Sequence, residues 1–354
     1  MKNNEEDNNR FYVFSLAFNI FYTRFGRNFG GVKYSFRGFY DKKNKRGIHT
    51  LNFIIEDLNN NSSIKYSIDW FDSNSINDYD AYEWCDVYAK VNTNWELTPK
   101  EKYPKIVSIG PSFGIKKNSL LRGQYYALRS AYKCGMSLKQ TIHYMRYYYR
   151  ESQRLPLSSY LYQPDKVENG YVFFLSTLWY NADWNNNDVD LNTPRYNMMI
   201  AVKDNKNIKF EGGFVAHNLR NINNGYKSST EKFSNMIYPV RITAKEYQMK
   251  QQKSFVWLNT PAVVGCHGWK LAEALAYGKC IVSLPLVNDL PCPLEHGVNI
   301  HFVENTPESI NNALNYIYNN PEYRKKLEVG ARKYWEQYCS PTAALRLMGI
   351  TTNN

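Results

Sequence analysis

A chain of 354 residues with 43% apolar side chains can close more than one hydrophobic core, which excludes a disordered or fibrous protein and fits two domains. Its six cysteines are scattered with no C-x-x-C pair, and no run of roughly 18 apolar residues exists, so neither a disulfide scaffold nor a membrane-spanning helix organises it. The net charge of +12 asks for an anionic partner.

From the amino terminus, residues 1–10 are polar and the apolar run from Phe11 to Tyr22 is broken by Ser15 and Asn19, unlike a secretory leader; the expectation is a reducing cytosol. Phe11–Ile20 reads as a first strand, followed by a glycine- and arginine-rich loop with Gly30-Gly31. His49–Glu56 and Ile64–Trp70 read as strands, the latter followed by Asp72. Asp86–Lys90 and Lys105–Ile109 read as two more, the last stopped by Gly110-Pro111. Leu120–Tyr149 is helical in pattern and split by Gly135. In its second half Leu138, Ile142, Met145 and Tyr149 recur at helical spacing, while Lys139, Arg146 and Arg150 face elsewhere. The segment 116–154 holds four lysines and five arginines against Glu151 alone, an excess of eight, with seven tyrosines. Such a basic, amphipathic stretch suits a peripheral contact with an anionic membrane surface; a solvated helix face is the plainer alternative. Pro156 and Pro164 bracket a linker, dividing residues 1–164 from 165–340.

In the second half, Gly170–Leu178 reads as a buried strand, followed by a polar loop and a helix containing Arg195. Ile208–Gly213 is the next strand, and Asn218–Ser229 a flexible insertion. Thr243 with Glu246 forms a capping box. Phe255–Leu258 is a short strand, broken at Thr260-Pro261 and continued through Ala262–Val264 before Gly265. A helix then runs from about Trp269 to Tyr277, stopped by Gly278, and Cys280–Leu284 is a buried strand. Around that helix, His267, Gly268 and Trp269 bring free backbone N–H groups to a point beside Lys270, an arrangement suited to a diphosphate. Glu273, one turn on, suits a ribose diol. An exposed ion pair between Lys270 and Glu273 is the plainer reading.

The runs KLAEALAYGKCIVSLPL (270–286), LEHGVNIHFVEN (294–305) and NPEYRKKLEVGARKYWEQY (320–338) resemble the carboxyl half of a GT-B glycosyltransferase. The resemblance is firm over about 254–340, softer over 170–253 and faint before that. It implies an α/β chain of two Rossmann-like domains facing across a cleft, with residues 341–354 returning as a helix to the first. It implies that Ser176, Thr177 and Arg195 face the donor phosphates, that Glu273 holds the nucleotide ribose, and that loops at Pro285–Asp289 and at Glu295, His296 and Gly297 touch the donor sugar. It also implies that Gly30-Gly31 lines the cleft. The retaining families carry a second glutamate eight residues before the ribose-binding one; here that position is Gly265. An inverting transfer to a glycan or lipid-linked acceptor is therefore the expectation. The base is Asp72, with Asp69 as second choice, because both follow a strand end where open α/β sheets place ligands.

Two D-x-D triplets, Asp78-Tyr79-Asp80 and Asp188-Val189-Asp190, match the pattern that holds a metal on a diphosphate, yet both sit in polar loops, and no metal or other cofactor is expected. His296 and His301 lack further ligands at zinc spacing. No G-x-S-x-G, P-loop or G-x-G-x-x-G is present, which argues against hydrolase, kinase and dehydrogenase. The rivals are a nucleic-acid-binding protein using residues 116–154, and a sugar-nucleotide epimerase on the same fold.

Overall fold

The computed structural model describes residues 32–350 apart from 38–39, 42–45, 48–49, 58–61, 134–136, 180–189, 216–230 and 241. The expected strand at Phe11–Ile20, Gly30-Gly31, Asp188 and the insertion at Asn218–Ser229 lie outside the described residues. Two compact units are present: Met1–Tyr160 with Asn288–Cys292 and Gln337–Asn354, and Leu161–Val287 with Pro293–Glu336. The passage from one to the other at residues 160 and 161 falls between Pro156 and Pro164.

The first unit is built on a five-stranded mixed sheet: β1 (Val32–Arg37), β2 (Thr50–Asp57), β3 (Ser62–Asp69), β4 (Val87–Lys90) and β5 (Ile106–Ser108), side by side in that order. A Rossmann-like domain is expected here, and at its near edge the sheet departs from parallel pairing: β1, β2 and β3 are antiparallel. Only residues 58–61 connect β2 to β3, far too few for the crossover that a parallel pair requires. Beyond β3 the pairing turns parallel, with α1 (Tyr79–Trp84) carrying the chain across to β4. Asp69, Lys90 and Ser108 therefore stand in register along one carboxyl edge. Helices α2 (Leu120–Lys133) and α3 (Leu138–Ser152) pack on each other around Ala127 and Tyr148.

The second unit opens on β6 (Tyr171–Thr177), buried on both faces. Val172 and Phe174 join one core, and Tyr171, Phe173 and Leu175 another. A strand covered on both sides reads as a continuous apolar run, as YVFFL does. Next come α4 (Asn192–Lys203), β7 (Lys209–Val215), α5 (Ala244–Lys253), β8 (Trp257–Asn259), α6 (Gly268–Tyr277), β9 (Ile281–Ser283) and β10 (His301–Phe302). The Thr243 and Glu246 capping box at α5 forms in full. β7 pairs with β6, and β8, β9 and β10 pair in sequence, all parallel. The two groups meet where the Phe255 N–H donates to the Tyr171 carbonyl at 2.9 Å, beside a parallel bridge between Glu168 and Ser254. The strand order is thus β7-β6-β8-β9-β10. Numbered within the unit, that is 2-1-3-4-5, a doubly wound order that reverses direction between β6 and β8. Helices α7 (Pro307–Asn319) and α8 (Pro321–Tyr334) finish the unit, Ile310, Leu314 and Leu327 closing its core.

The last helix, α9 (Pro341–Leu347), is part of the first unit. Leu345, Met348 and Ile350 pack with Leu51, Phe53, Ile68 and Ala89. The strap Asn288–Cys292 also belongs there: the Asp289 N–H donates to the Thr93 carbonyl and its carboxylate accepts from the Trp95 N–H, each at 2.7 Å.

Candidate functional site

In an open doubly wound sheet, ligands gather at the carboxyl ends of the strands where the winding reverses. In the second unit that point is the gap between β6 and β8, and five sequence-predicted residues gather there. Ser176 and Thr177 end β6; Ser176 is buried. Arg195, in the first turn of α4, is buried and donates to the Thr177 carbonyl at 3.2 Å. Lys270, in the first turn of α6, donates to the carbonyl of Leu175 and lies 4.9 Å from the Phe174 ring centroid. Glu273 stands one turn further on and is close enough to interact with the Lys270 charge.

The helix is where it is for local reasons. Leu271, Ala272, Leu275 and Ala276 are buried, and Gly278 closes the helix in the left-handed conformation at φ 63°. Its entry departs from the strand expected there. Residues Ala262–Val264, expected to prolong β8, instead begin a tight turn: the Gly265 N–H donates to the Ala262 carbonyl at 3.0 Å, and Val264 adopts φ 54°, ψ 28°. A β-branched residue rarely takes that left-handed shape, and its strain of about 1–3 kcal/mol is held by the surroundings. Gly265 follows at φ 71°, and a Cβ there would lie 2.6 Å from Val287 Cβ. A glutamate at 265 has no room. His267 is buried at the amino end of α6, Gly268 takes φ 66°, and Trp269 is exposed.

The exposed ion pair is not what forms. Lys270 and Glu273 are half-buried, and among the described residues no ion pair joins them, nor does any carboxylate pair with Arg195. Burial and the nearby Arg195 charge push the Lys270 ammonium down to about 7, against the opposing pull of Glu273. Burial lifts the Glu273 carboxyl to about 7, opposed by Lys270. Arg195 is lowered to about 10 by burial. Two cations and a single carboxylate crowded at one sheet edge, with no ion pair closed between them, leave an excess of positive charge that suits an anion.

Glu295 and His296 are not part of this group. They precede β10, the far edge of the sheet, two strand spacings or about 10 Å from β8. His296 Nδ1 accepts from the Phe302 N–H at 3.1 Å, and its ring lies 4.5 Å from that of His301 at a tilt of 48°. Burial and His296 lower His301 to about 4, and its Nδ1 is 2.8 Å from the Tyr323 hydroxyl. Of the other expected sugar-touching loop, Asn288 and Asp289 belong to the first unit.

The two aspartates of the first unit part ways. Asp69 is fully buried, receiving Lys90 Nζ at 3.0 Å, the Tyr88 hydroxyl at 2.9 Å and the Phe71 N–H at 2.9 Å. With three donors on its two oxygens, a buried ion pair and no exposed surface, it is a structural group and not a base. Asp72 is exposed on the loop that follows. That loop is pinned to the carboxyl edge, for Lys90 also donates to the Ser73 carbonyl at 2.9 Å and Asn92 to the Phe71 carbonyl at 2.9 Å. Sequence reasoning missed Lys90 and Asn92; the one signal was a lysine closing an otherwise apolar strand, VYAK. Of the D-x-D triplets, Asp78 and Asp190 serve helix starts. Asp78 accepts from the Ala81 N–H at 2.9 Å and the Thr50 hydroxyl at 2.8 Å, and Asp190 accepts from the N–H groups of Asn192 and Thr193 at 3.0 Å.

No family model and no curated protein matches the chain. Among solved structures it is similar to a glycosyltransferase from Rickettsia africae ESF-5, at 14% identity over 79% of this chain and 66% of that one, with a TM-score of 0.42. It is similar also to Anabaena HepE in complex with UDP-glucose, at 12% identity over 77% of this chain and 79% of that one, TM-score 0.38. A third likeness is to TarM, at 12% identity over 89% and 66%, TM-score 0.37. In fold, the chain resembles these glycosyltransferases. It spans just under two thirds of the Rickettsia and TarM chains. Likeness at these scores lies in the chain trace, and what the site does has to be argued from its own residues.

Proposed function

We propose that the chain is a glycosyltransferase that moves a sugar from a nucleotide-sugar donor to a glycan or lipid-linked acceptor. One observation carries this reading: Arg195 and Lys270, neither in an ion pair among the described residues, converge on the reversal point of a doubly wound sheet where helix α6 opens. A nucleoside diphosphate supplies the missing negative charge. Its phosphates lie against the first N–H groups of α6 and the two cations, and its ribose diol lies against Glu273.

The acceptor hydroxyl attacks the anomeric carbon of the donor, the bond from that carbon to the diphosphate oxygen breaks, and the configuration inverts. Asp72 takes the hydroxyl proton. The charge that develops on the departing diphosphate is met by Lys270 and Arg195, so the reaction proceeds without a metal. The enzyme works in the cytosol, peripherally, at the inner face of a membrane. The first unit serves the acceptor and the second the donor.

A thermal-shift panel of UDP-, GDP-, ADP- and CMP-sugars tests the reading. One member is expected to raise the melting temperature of the parent and not of the Lys270→Gln variant. A panel in which none does so overturns it.

A further inference from the structure

The helical pair α2 and α3 carries apolar surface that nothing in the described chain covers. At 100° per residue, Leu121, Tyr125, Leu128 and Tyr132 fall within an arc of about 60° on α2. All four are exposed, Leu121 by 83% and Tyr132 by 90%. The face that α2 turns inward is a different one, made of Gly123, Ala127 and Ala131. Helix α3 repeats the device with Leu138, Ile142 and Tyr149, all exposed, Leu138 by 76%; Met145, on the same arc, is partly buried against Ala127 and Tyr148.

Beside each apolar stripe runs a basic one. Arg122 and Arg129 occupy the arc next to the stripe of α2, and Lys139, Arg146 and Arg150 the arc next to that of α3; all five are exposed. The one acid of the segment does not dilute them. Glu151 is buried and turned inward, accepting from the N–H groups of Lys117 at 3.2 Å and Asn118 at 3.3 Å.

We infer that this double stripe is a docking surface for an anionic lipid bilayer, into which the leucines and tyrosines sink to the depth of the headgroup boundary while the arginines and lysines meet lipid phosphates. A second copy of the chain fits poorly, since two surfaces with an excess of eight positive charges within residues 116–154 repel each other. Nucleic acid explains the charge and the tyrosines but offers nothing to Leu121, Leu128, Leu138 and Ile142, whose exposure is relieved only by an apolar medium. Tyrosine, apolar in body and polar at its tip, is suited to the boundary itself. The surface deepens the proposal of a peripheral enzyme, which in turn supplies a reason for it, a lipid-linked acceptor. It shares no residue with the donor group.

The test is co-sedimentation of the full chain with vesicles of phosphatidylcholine, alone or with one-third phosphatidylglycerol. Binding is expected on the anionic vesicles only, and is expected to weaken as salt rises. A Leu121→Ser, Tyr132→Ser, Leu138→Ser triple variant should bind them roughly a hundredfold more weakly, with its melting temperature and donor response kept. Arg129→Gln and Arg146→Gln should each weaken binding roughly fivefold. Equal binding to neutral vesicles, or parent-like binding by the triple variant, overturns the inference. So does a dimer in sedimentation equilibrium that the triple variant abolishes, which gives the face to a second copy. Salt-steep binding to unrelated DNA that survives the triple variant, with no vesicle binding, gives it to nucleic acid. Vesicle binding without any response to nucleotide sugars upholds the surface and refutes the transferase.

Discussion

If Lys270 grips a diphosphate, donor affinity must follow the protonation of a lysine that titrates near neutrality. In the free protein burial and Arg195 hold its ammonium at about 7. Only the charged form serves an anion, so the apparent affinity has its full value below pH 7 and falls as pH rises through and beyond it. From pH 6 to pH 8.5 the ammonium fraction drops from about 0.9 to about 0.03, a loss in affinity of about thirtyfold or 2 kcal/mol. The bound phosphates draw the ammonium back toward its ordinary range, so binding above pH 7 takes up close to one proton. Calorimetry of a nucleotide sugar in two buffers of different ionisation heat measures both quantities, and the diester phosphates of such a donor keep a constant charge over the range. Lys270→Gln should flatten the profile and weaken binding at pH 6 by about 1.5–3 kcal/mol, the worth of a hydrogen bond to a charged group. Glu273 supports the ammonium. In Glu273→Gln the fall should therefore begin at lower pH. A flat profile in the parent, or the parental slope in Lys270→Gln, refutes the reasoning.

Glu273→Ala should raise the donor dissociation constant tenfold or more, about 1.4 kcal/mol, with a smaller change for inorganic diphosphate, which has no ribose. Gly265→Glu should lose about 2–4 kcal/mol of stability in urea unfolding, from its left-handed backbone and the collision with Val287, and gain no activity. Asp69→Asn should destabilise by about 3–5 kcal/mol by stranding the buried Lys90 charge. Asp72→Asn should keep the parental melting temperature and lower kcat at least a hundredfold; equal loss of stability in both variants would remove the distinction drawn between them. Turnover should be unchanged by EDTA, and activity lost to EDTA and restored by manganese would contradict the metal-free reaction.

What the sequence discloses about this molecule depends on how far apart the deciding residues are. The stop of α6 at Gly278, the Thr243 capping box and the break between α2 and α3 each turn on residues within one helical turn, and each is legible. The turn at Val264 is not. Two valines after a strand argue for more strand, and nothing nearby in sequence signals that the chain turns left-handed at Val264 and Gly265, where Val287, twenty-two positions on, leaves no space for a side chain at 265. The burial of Asp69 is equally remote, since its partner Lys90 is brought alongside by the register of β3 and β4.

The candidate site shows the same limit at its sharpest. In sequence, Lys270 and Glu273 look like partners, because side chains three apart on a helix are neighbours. The fold sends Lys270 away from that neighbour to a carbonyl of β6, ninety-five positions earlier, and brings up Arg195 instead of an acid. A helix wheel can place two charges on one face but cannot show whether a third, fetched by strand order, has the same sign. At this site it does, and a locally balanced pair becomes a cluster with an excess of positive charge. Strand order 2-1-3-4-5 is what joins β6 to β8, and so the charge that calls for a diphosphate is a property of topology.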